Sequence, residues 1–267
     1  MLEALFDRAK LSHRAAFIPY VMAGDPDIET TEAVLHALSD AGADIIELGI
    51  PYGDPLADGP TIAAAAQRAL AKGVAIRDVF EVVRRHKERA GVPIVLFSYF
   101  NPIYQYGIER FASDAAEAGA SAAIVPDVAL EEGAELAAAL AKHGIDMPLL
   151  VAPSTTPERA AKIAAATSGF AYVVSRLGVT GAGSEPATAS LRSQIATLRG
   201  ITEKPLAVGF GVSEPQQVAE VAGLADGIIV GSALIDAYAG THGAEAAARV
   251  RAFVDPMIAA ANYARHD

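Results

Sequence analysis

One glutamate and two aspartates lie close together in "IIELGIPYGDPLADGPT", Ile45 to Thr61: an apolar run carries Glu47, and a loop rich in proline and glycine then carries Asp54 and Asp58. Side chains alternate along a strand, so Ile45, Glu47 and Gly49 share one face while Asp44, Ile46 and Leu48 share the other. If Leu48 packs under a layer of helices, Glu47 points the opposite way, among Ile, Leu and Val side chains. Burial there disfavours the ionised carboxylate and raises its pKa toward the range of a group that both gives and takes protons. Glu47 is therefore a candidate general acid/base; the alternative is an inward glutamate satisfied by a backbone donor or a basic side chain. Asp54 and Asp58 sit on backbone constrained by Pro51, Pro55 and Pro60. Such acceptors can meet a polar group on a ligand, although Asp is also a common turn residue. The three acids offer oxygens to Mg²⁺ or Ca²⁺, but neither a ligand spacing nor a nearby histidine supports this, and no metal site is assigned.

A second constellation lies far along the chain. "GVTGAG" at Gly178 to Gly183, "GFG" at Gly209 to Gly211 and the pair Gly231-Ser232 each follow an apolar run. Glycine lets a phosphate approach backbone N–H groups, and Gly231-Ser232 opens a short helical segment, "SALIDAY", whose amino end favours an anion. The alternative is tight turns only. Between the acids and the glycines, Tyr20, Phe97, Tyr99, Tyr172 and Phe210 supply apolar and aromatic surface. Singly each is a core residue; together they suit a flat apolar substrate with a phosphate tail.

The elements that would position these residues alternate from end to end. The strand candidates are "AFIPYVMAG", "ADIIELGI", "PIVLFSYF", "SAAIVPDV", "MPLLVAPS", "FAYVVSR", "PLAVGFGV" and "DGIIVGSAL", nearly continuous in apolar character, as strands covered on both faces should be. Between them the patterns predict helices over 28–41, 76–90, 108–118, 130–143, 157–167, 187–199 and 214–222, with Thr156 and Ser213 among the candidate N-caps. Eight strands each followed by a helix point to a single (β/α)8 TIM barrel, one catalytic domain over 1–267, with an N-terminal helix at Leu2 to Ala9 capping its floor. An open dinucleotide-binding sheet lacks support, since no GxGxxG follows the first strand. In such a barrel, function belongs at the carboxyl ends of the strands, where both constellations fall.

Bulk properties narrow the classes further. The 267 residues carry 21 Lys plus Arg against 32 Asp plus Glu, a formal charge of -11, which argues against nucleic acid or an anionic membrane as partner. The one basic run, "RRHKER" at Arg84 to Arg89, reads as a solvated helix face. With no cysteine, thiolate chemistry and disulfides are excluded. Neither a signal peptide nor a membrane-spanning run is evident, so a cytoplasmic protein is expected.

The runs "FIPYVMAGDPD", "ELGIPYGDPLADGPTI", "SYFNPIYQYG", "VPDVALEE", "SRLGVTGA" and "GFGVS", in this order, resemble the α subunit of tryptophan synthase from about Phe17 to Leu234. The resemblance implies a lyase of tryptophan biosynthesis, grouped with carbon-oxygen lyases, that cleaves indole-3-glycerol phosphate to indole and glyceraldehyde 3-phosphate by a carbon-carbon retro-aldol step. Glu47 matches the catalytic glutamate and Asp58 the catalytic aspartate, while Tyr20, Phe97, Tyr99, Tyr172, Thr180 and Phe210 fall in the substrate pocket. Gly181, Gly211, Gly231 and Ser232 match phosphate-binding positions, and Thr180 matches a threonine that meets the aspartate when its loop closes. The family uses no cofactor in this subunit. Its allosteric partner is a β subunit that holds pyridoxal phosphate, in a heterotetramer of two α and two β chains, with Asp54, Asp127 and Ala129 facing that partner. Two departures stand out: Ala129 replaces a proline, and Tyr20 replaces the phenylalanine of some relatives. A stand-alone lyase that releases free indole is the nearest alternative; a non-catalytic activator of the β subunit would have no need of both acids.

Overall fold

A computed structural model describes residues 2–89, 91–175, 187–209 and 211–262. Its eight parallel strands are β1 (Ala16–Met22), β2 (Ile46–Gly49), β3 (Ile94–Phe97), β4 (Ala122–Ile124), β5 (Leu150–Val151), β6 (Ala171–Val174), β7 (Leu206–Gly209) and β8 (Gly227–Val230). They pair in the order β4-β3-β2-β1-β8-β7-β6-β5. Backbone bonds between β4 and the segment entering β5 close the ring, Ala123 N–H to Asp146 O at 2.9 Å and Asp146 N–H to Ser121 O at 3.0 Å. The barrel expected from the sequence is therefore present. Nearly every strand residue is buried, because side chains on one face fill the barrel and those on the other meet the helices.

The helices are α1 (Leu2–Leu11), α2 (Ile28–Ala41), α3 (Pro60–Ala71), α4 (Ile76–Glu88), α5 (Phe100–Tyr106), α6 (Ile108–Ala118), α7 (Ala134–Lys142), α8 (Pro157–Ala166), α9 (Ala187–Arg199), α10 (Pro215–Ala222), α11 (Ser232–Tyr238) and α12 (Gly243–Asn262). Helix α1 buries Leu2, Phe6 and Ala9 at the floor. Phe6 packs 5.4 Å from Phe170, just before β6, so it closes the amino ends of the strands as expected. Thr156 caps α8 by accepting from Arg159 N–H. For α10 the cap is Glu214 rather than Ser213, and the Gln217 side chain bonds back to the N–H groups of both.

Three helices differ from the sequence expectation. Pro60 reads as loop, yet its fixed φ and missing N–H suit the first helical position of α3. In α5, "FNPIYQY" is too short for a periodic signal, and its amino end is held by Asp127 from outside the segment. Helix α12 runs through Pro256 and packs on α2 and α10. The basic run also differs from expectation: Arg84 and Arg85 are solvated partners of Glu81, but His86 is buried, with Nε2 on Val92 O at 3.0 Å. Among the described residues, no helix is long and apolar enough to cross a membrane.

Candidate active site

Strand β2 carries Glu47 at the register of Tyr20 on β1 and Val95 on β3. The carboxyl is buried, 1% exposed, and its Oε1 has no hydrogen-bond partner among the described residues. Desolvation raises its pKa to about 8, with the nearby charge of Asp58 adding to the rise. Such a group is protonated at neutral pH and still gives up its proton readily. The alternative of an inward glutamate neutralised by a basic side chain is thereby set aside, because no cation pairs with it among the described residues.

Asp58 sits where the acidic loop turns into α3. It is half-buried, and burial raises its pKa while a hydrogen bond with the Tyr99 hydroxyl pulls the other way. Tyr99 also accepts the Ala57 N–H at 3.1 Å, so one phenol anchors two consecutive residues of the loop. Behind the loop, Arg68 of α3 grips the buried Asp25 at the end of β1 with two bonds, Nε to Oδ1 at 2.7 Å and Nη2 to Oδ2 at 2.9 Å. This pair fixes the helix on which the loop ends.

Glu47 and Asp58 open into one cavity of about 300 Å³. Tyr20 and Phe97 line it, edge-on to each other at 5.7 Å, and a run of rings continues behind them: Phe97 stands edge-on to Tyr99 at 6.3 Å, and Tyr99 meets Tyr52 at 5.4 Å. Tyr172 on β6 enters from across the barrel, its hydroxyl lying where a Cβ on Gly209 would come within 2.3 Å. Gly209 is thus required by the close approach of a side chain. The far end of the cavity is made by Gly211, Val212 and Ser213 after β7 and by Gly231, Ser232 and Ala233 at the start of α11. Gly211 has φ +93°, a conformation that side chains strain to adopt. Small residues from two successive strand ends therefore share one cavity with the two acids and the aromatic side chains.

Of the residues proposed from the sequence, Glu47, Asp58, Tyr20, Phe97, Tyr172, Gly211, Gly231 and Ser232 line this cavity, and Tyr99 supports it through the loop. Thr180, Gly181 and Phe210 lie outside the described residues. Asp54 and Ala129 are exposed on loops beyond the cavity. Asp127, expected to face a partner, also acts within the chain, where its carboxylate accepts Phe100 N–H at 2.9 and 3.2 Å and caps α5. Ile62, Ser213, Ile229 and Asp236 line the cavity as well, and the sequence reading misses them. Ser213 follows a glycine-rich strand end, a signal that could have found it; Ile62 and Asp236 lie on helices whose orientation is a tertiary matter.

A family model described as tryptophan synthase alpha chain matches residues 6–262. The chain belongs to the tryptophan synthase alpha chain family. It is 48% identical over 242 residues to the tryptophan synthase alpha chain of Citrifermentans bemidjiense, covering 91% of this chain and 90% of that one. It is 51% identical over 225 residues to that of Gloeobacter violaceus, covering 84% and 81%. Among solved structures it is similar to tryptophan synthase from M. tuberculosis in its aminoacrylate-bound form, with TM-score 0.87, 38% identity and coverage of 97% and 98%. The tryptophan synthase alpha chain of Legionella pneumophila gives TM-score 0.86 at 34% identity, with coverage of 98% and 97%.

Proposed function

We propose that Glu47 and Asp58 carry out the retro-aldol cleavage of indole-3-glycerol phosphate, with the indole ring against the aromatic wall and the phosphate at the glycine end. Membership of the family makes the chain a lyase of the tryptophan synthase α type. The bond broken is carbon-carbon, so the carbon-oxygen grouping expected from the resemblance does not describe the step at this site. What supports the residue roles is a buried carboxyl with pKa about 8, its Oε1 without a partner among the described residues, lining the same cavity as a second carboxyl.

The protonated Glu47 gives its proton to C3 of the ring. Positive charge then grows on the ring nitrogen, and Asp58 accepts that N–H and stabilises it. Glu47, now a carboxylate, takes the proton of the hydroxyl on the carbon next to the ring as the carbon-carbon bond breaks, leaving indole and an aldehyde. Glu47 ends protonated, ready for another cycle. Glu47 accounts for every proton moved and Asp58 for the charge that develops, so we assign no cofactor to this chain and leave pyridoxal phosphate with the β partner. Gly211, Gly231 and Ser232 receive the phosphate on backbone and hydroxyl donors. For Gly181 and Thr180 the same role and the loop closure rest on the resemblance.

One catalytic domain over 1–267 is supported by a continuous core that joins α1 to α12. Indole would pass to a β subunit docked at the rim bearing Asp54, Asp127 and Ala129, in a heterotetramer of two α and two β chains. Leu56 on the acidic loop and Tyr104 on α5, 80% and 62% exposed, support an apolar contact there. A phosphorylated, membrane-impermeant substrate fits a cytoplasmic location. The test is indole release from indole-3-glycerol phosphate, with and without a tryptophan synthase β chain. Release that Glu47→Gln abolishes supports the reading; wild-type protein inactive under both conditions contradicts it.

A further inference from the structure

The mouth of the barrel holds a second orphan beside Glu47. The Tyr20 hydroxyl is buried, the residue being only 4% exposed, and makes no hydrogen bond among the described residues. A buried phenol without a partner costs free energy, as an unpaired carboxyl does, and both lie on one cavity. Their placement is related. Tyr20 and Glu47 are register partners on adjacent strands. A Cβ on Gly49 would come within 2.2 Å of the Tyr20 hydroxyl oxygen. Gly49 is the next inward position after Glu47 on β2, so the hydroxyl sits at the level just mouthward of Glu47, in the cavity that both residues line. Gly49 leaves the space that a phenol needs and that a phenylalanine would not fill.

We propose that Tyr20 and Glu47 clamp the same substrate hydroxyl, the one on the carbon next to the indole ring, with Tyr20 donating to its oxygen and Glu47 accepting its proton. An alcohol has one proton to give and lone pairs to offer, so a two-point clamp satisfies both orphans and aims the O–H at the base. Burial keeps Tyr20 protonated, which makes it a donor throughout. As the hydroxyl proton leaves for Glu47, negative charge grows on the oxygen, and the Tyr20 O–H stabilises it without transferring its own proton. The clamp rests on the reaction proposed above and adds to it a residue that selects for the hydroxylated side chain.

The test compares wild type with Tyr20→Phe on two ligands: indole-3-glycerol phosphate, and an analogue lacking the hydroxyl next to the ring. The clamp expects kcat for indole release to fall about tenfold, while Kd for the analogue stays within twofold and the melting temperature holds or rises. An equal loss for substrate and analogue would make Tyr20 a packing residue and overturn the clamp. So would active wild type whose kcat is unchanged by Tyr20→Phe. Wild type that releases no indole overturns the reaction itself and the clamp with it.

Discussion

Acids occupy both ends of this barrel, and their surroundings are opposite. At the amino ends, Asp44 before β2 accepts two bonds from Arg14, at 2.6 and 2.7 Å, and the Phe17 N–H at 2.9 Å. Asp226 before β8 pairs with the Arg199 guanidinium and accepts the Leu206 N–H at 2.9 Å. Both floor carboxylates tie a strand to its neighbourhood. At the carboxyl ends, Glu47 and Asp58 face a cavity, with no cation paired to either among the described residues and burial raising both pKa values. The same side-chain chemistry is paired with arginine where it holds the fold and, among the described residues, left without a cation where a substrate must complete it. Loss of a floor acid's partner should therefore cost stability, and loss of a mouth acid should cost turnover.

The largest expected effect is Glu47→Gln, which removes the only group proposed to move protons. Indole release should fall by about 10⁴-fold or to background, measured at saturating substrate. Its stability should move the other way. The folded protein holds the Glu47 proton to about pH 8, whereas the unfolded chain releases it in the ordinary carboxylate range. Wild-type stability therefore falls as pH rises through that window, and Glu47→Gln should be the more stable protein at pH 9, in denaturant titrations, by roughly 2 kcal/mol or more.

Next is Asp58→Asn, which leaves a neutral group beside the ring nitrogen. A drop in kcat of about 10²–10³-fold is expected. Removal of the Asp58 charge should also let folded Glu47 ionise at lower pH, so the stability loss levels off at a lower pH and is smaller than in wild type. An unchanged pH at which the loss levels off would break the proposed coupling between the two acids.

At the floor, Arg14→Ala leaves Asp44 without its guanidinium and should destabilise the protein by about 2 kcal/mol, with kcat of the folded enzyme unchanged. A large loss of turnover without loss of stability would erase the contrast between the two ends. The smallest effect expected is for Tyr99→Phe, which frees the Ala57 and Asp58 anchor; kcat should fall about fivefold to tenfold, with little change in melting temperature.

Much of this contrast is legible in the sequence. Period-two alternation in "ADIIELGI" sets Glu47 on the inward face, and continuous apolar runs separated by helical patterns specify the barrel. Other features depend on contacts between distant segments. Asp127 caps α5 from 27 residues away, so no local pattern reveals either the cap or the short helix. His86 turns inward from a run whose other members are polar, because the helix stripe rather than composition decides its side. In the sequence Tyr20 is only a replacement for the phenylalanine of some relatives, and it takes the packing over Gly49 to show a hydroxyl without a partner among the described residues. The floor pairs, too, join residues separated by 30 and 27 positions.

The most direct test of the account is the titration of Glu47 itself. Carboxyl ¹³C NMR of the ligand-free protein, with the resonance assigned by its loss in Glu47→Gln, should give a midpoint of about 8. A midpoint in the ordinary carboxylate range would contradict the claim that the mouth of the barrel holds its acid unpaired and ready for proton transfer.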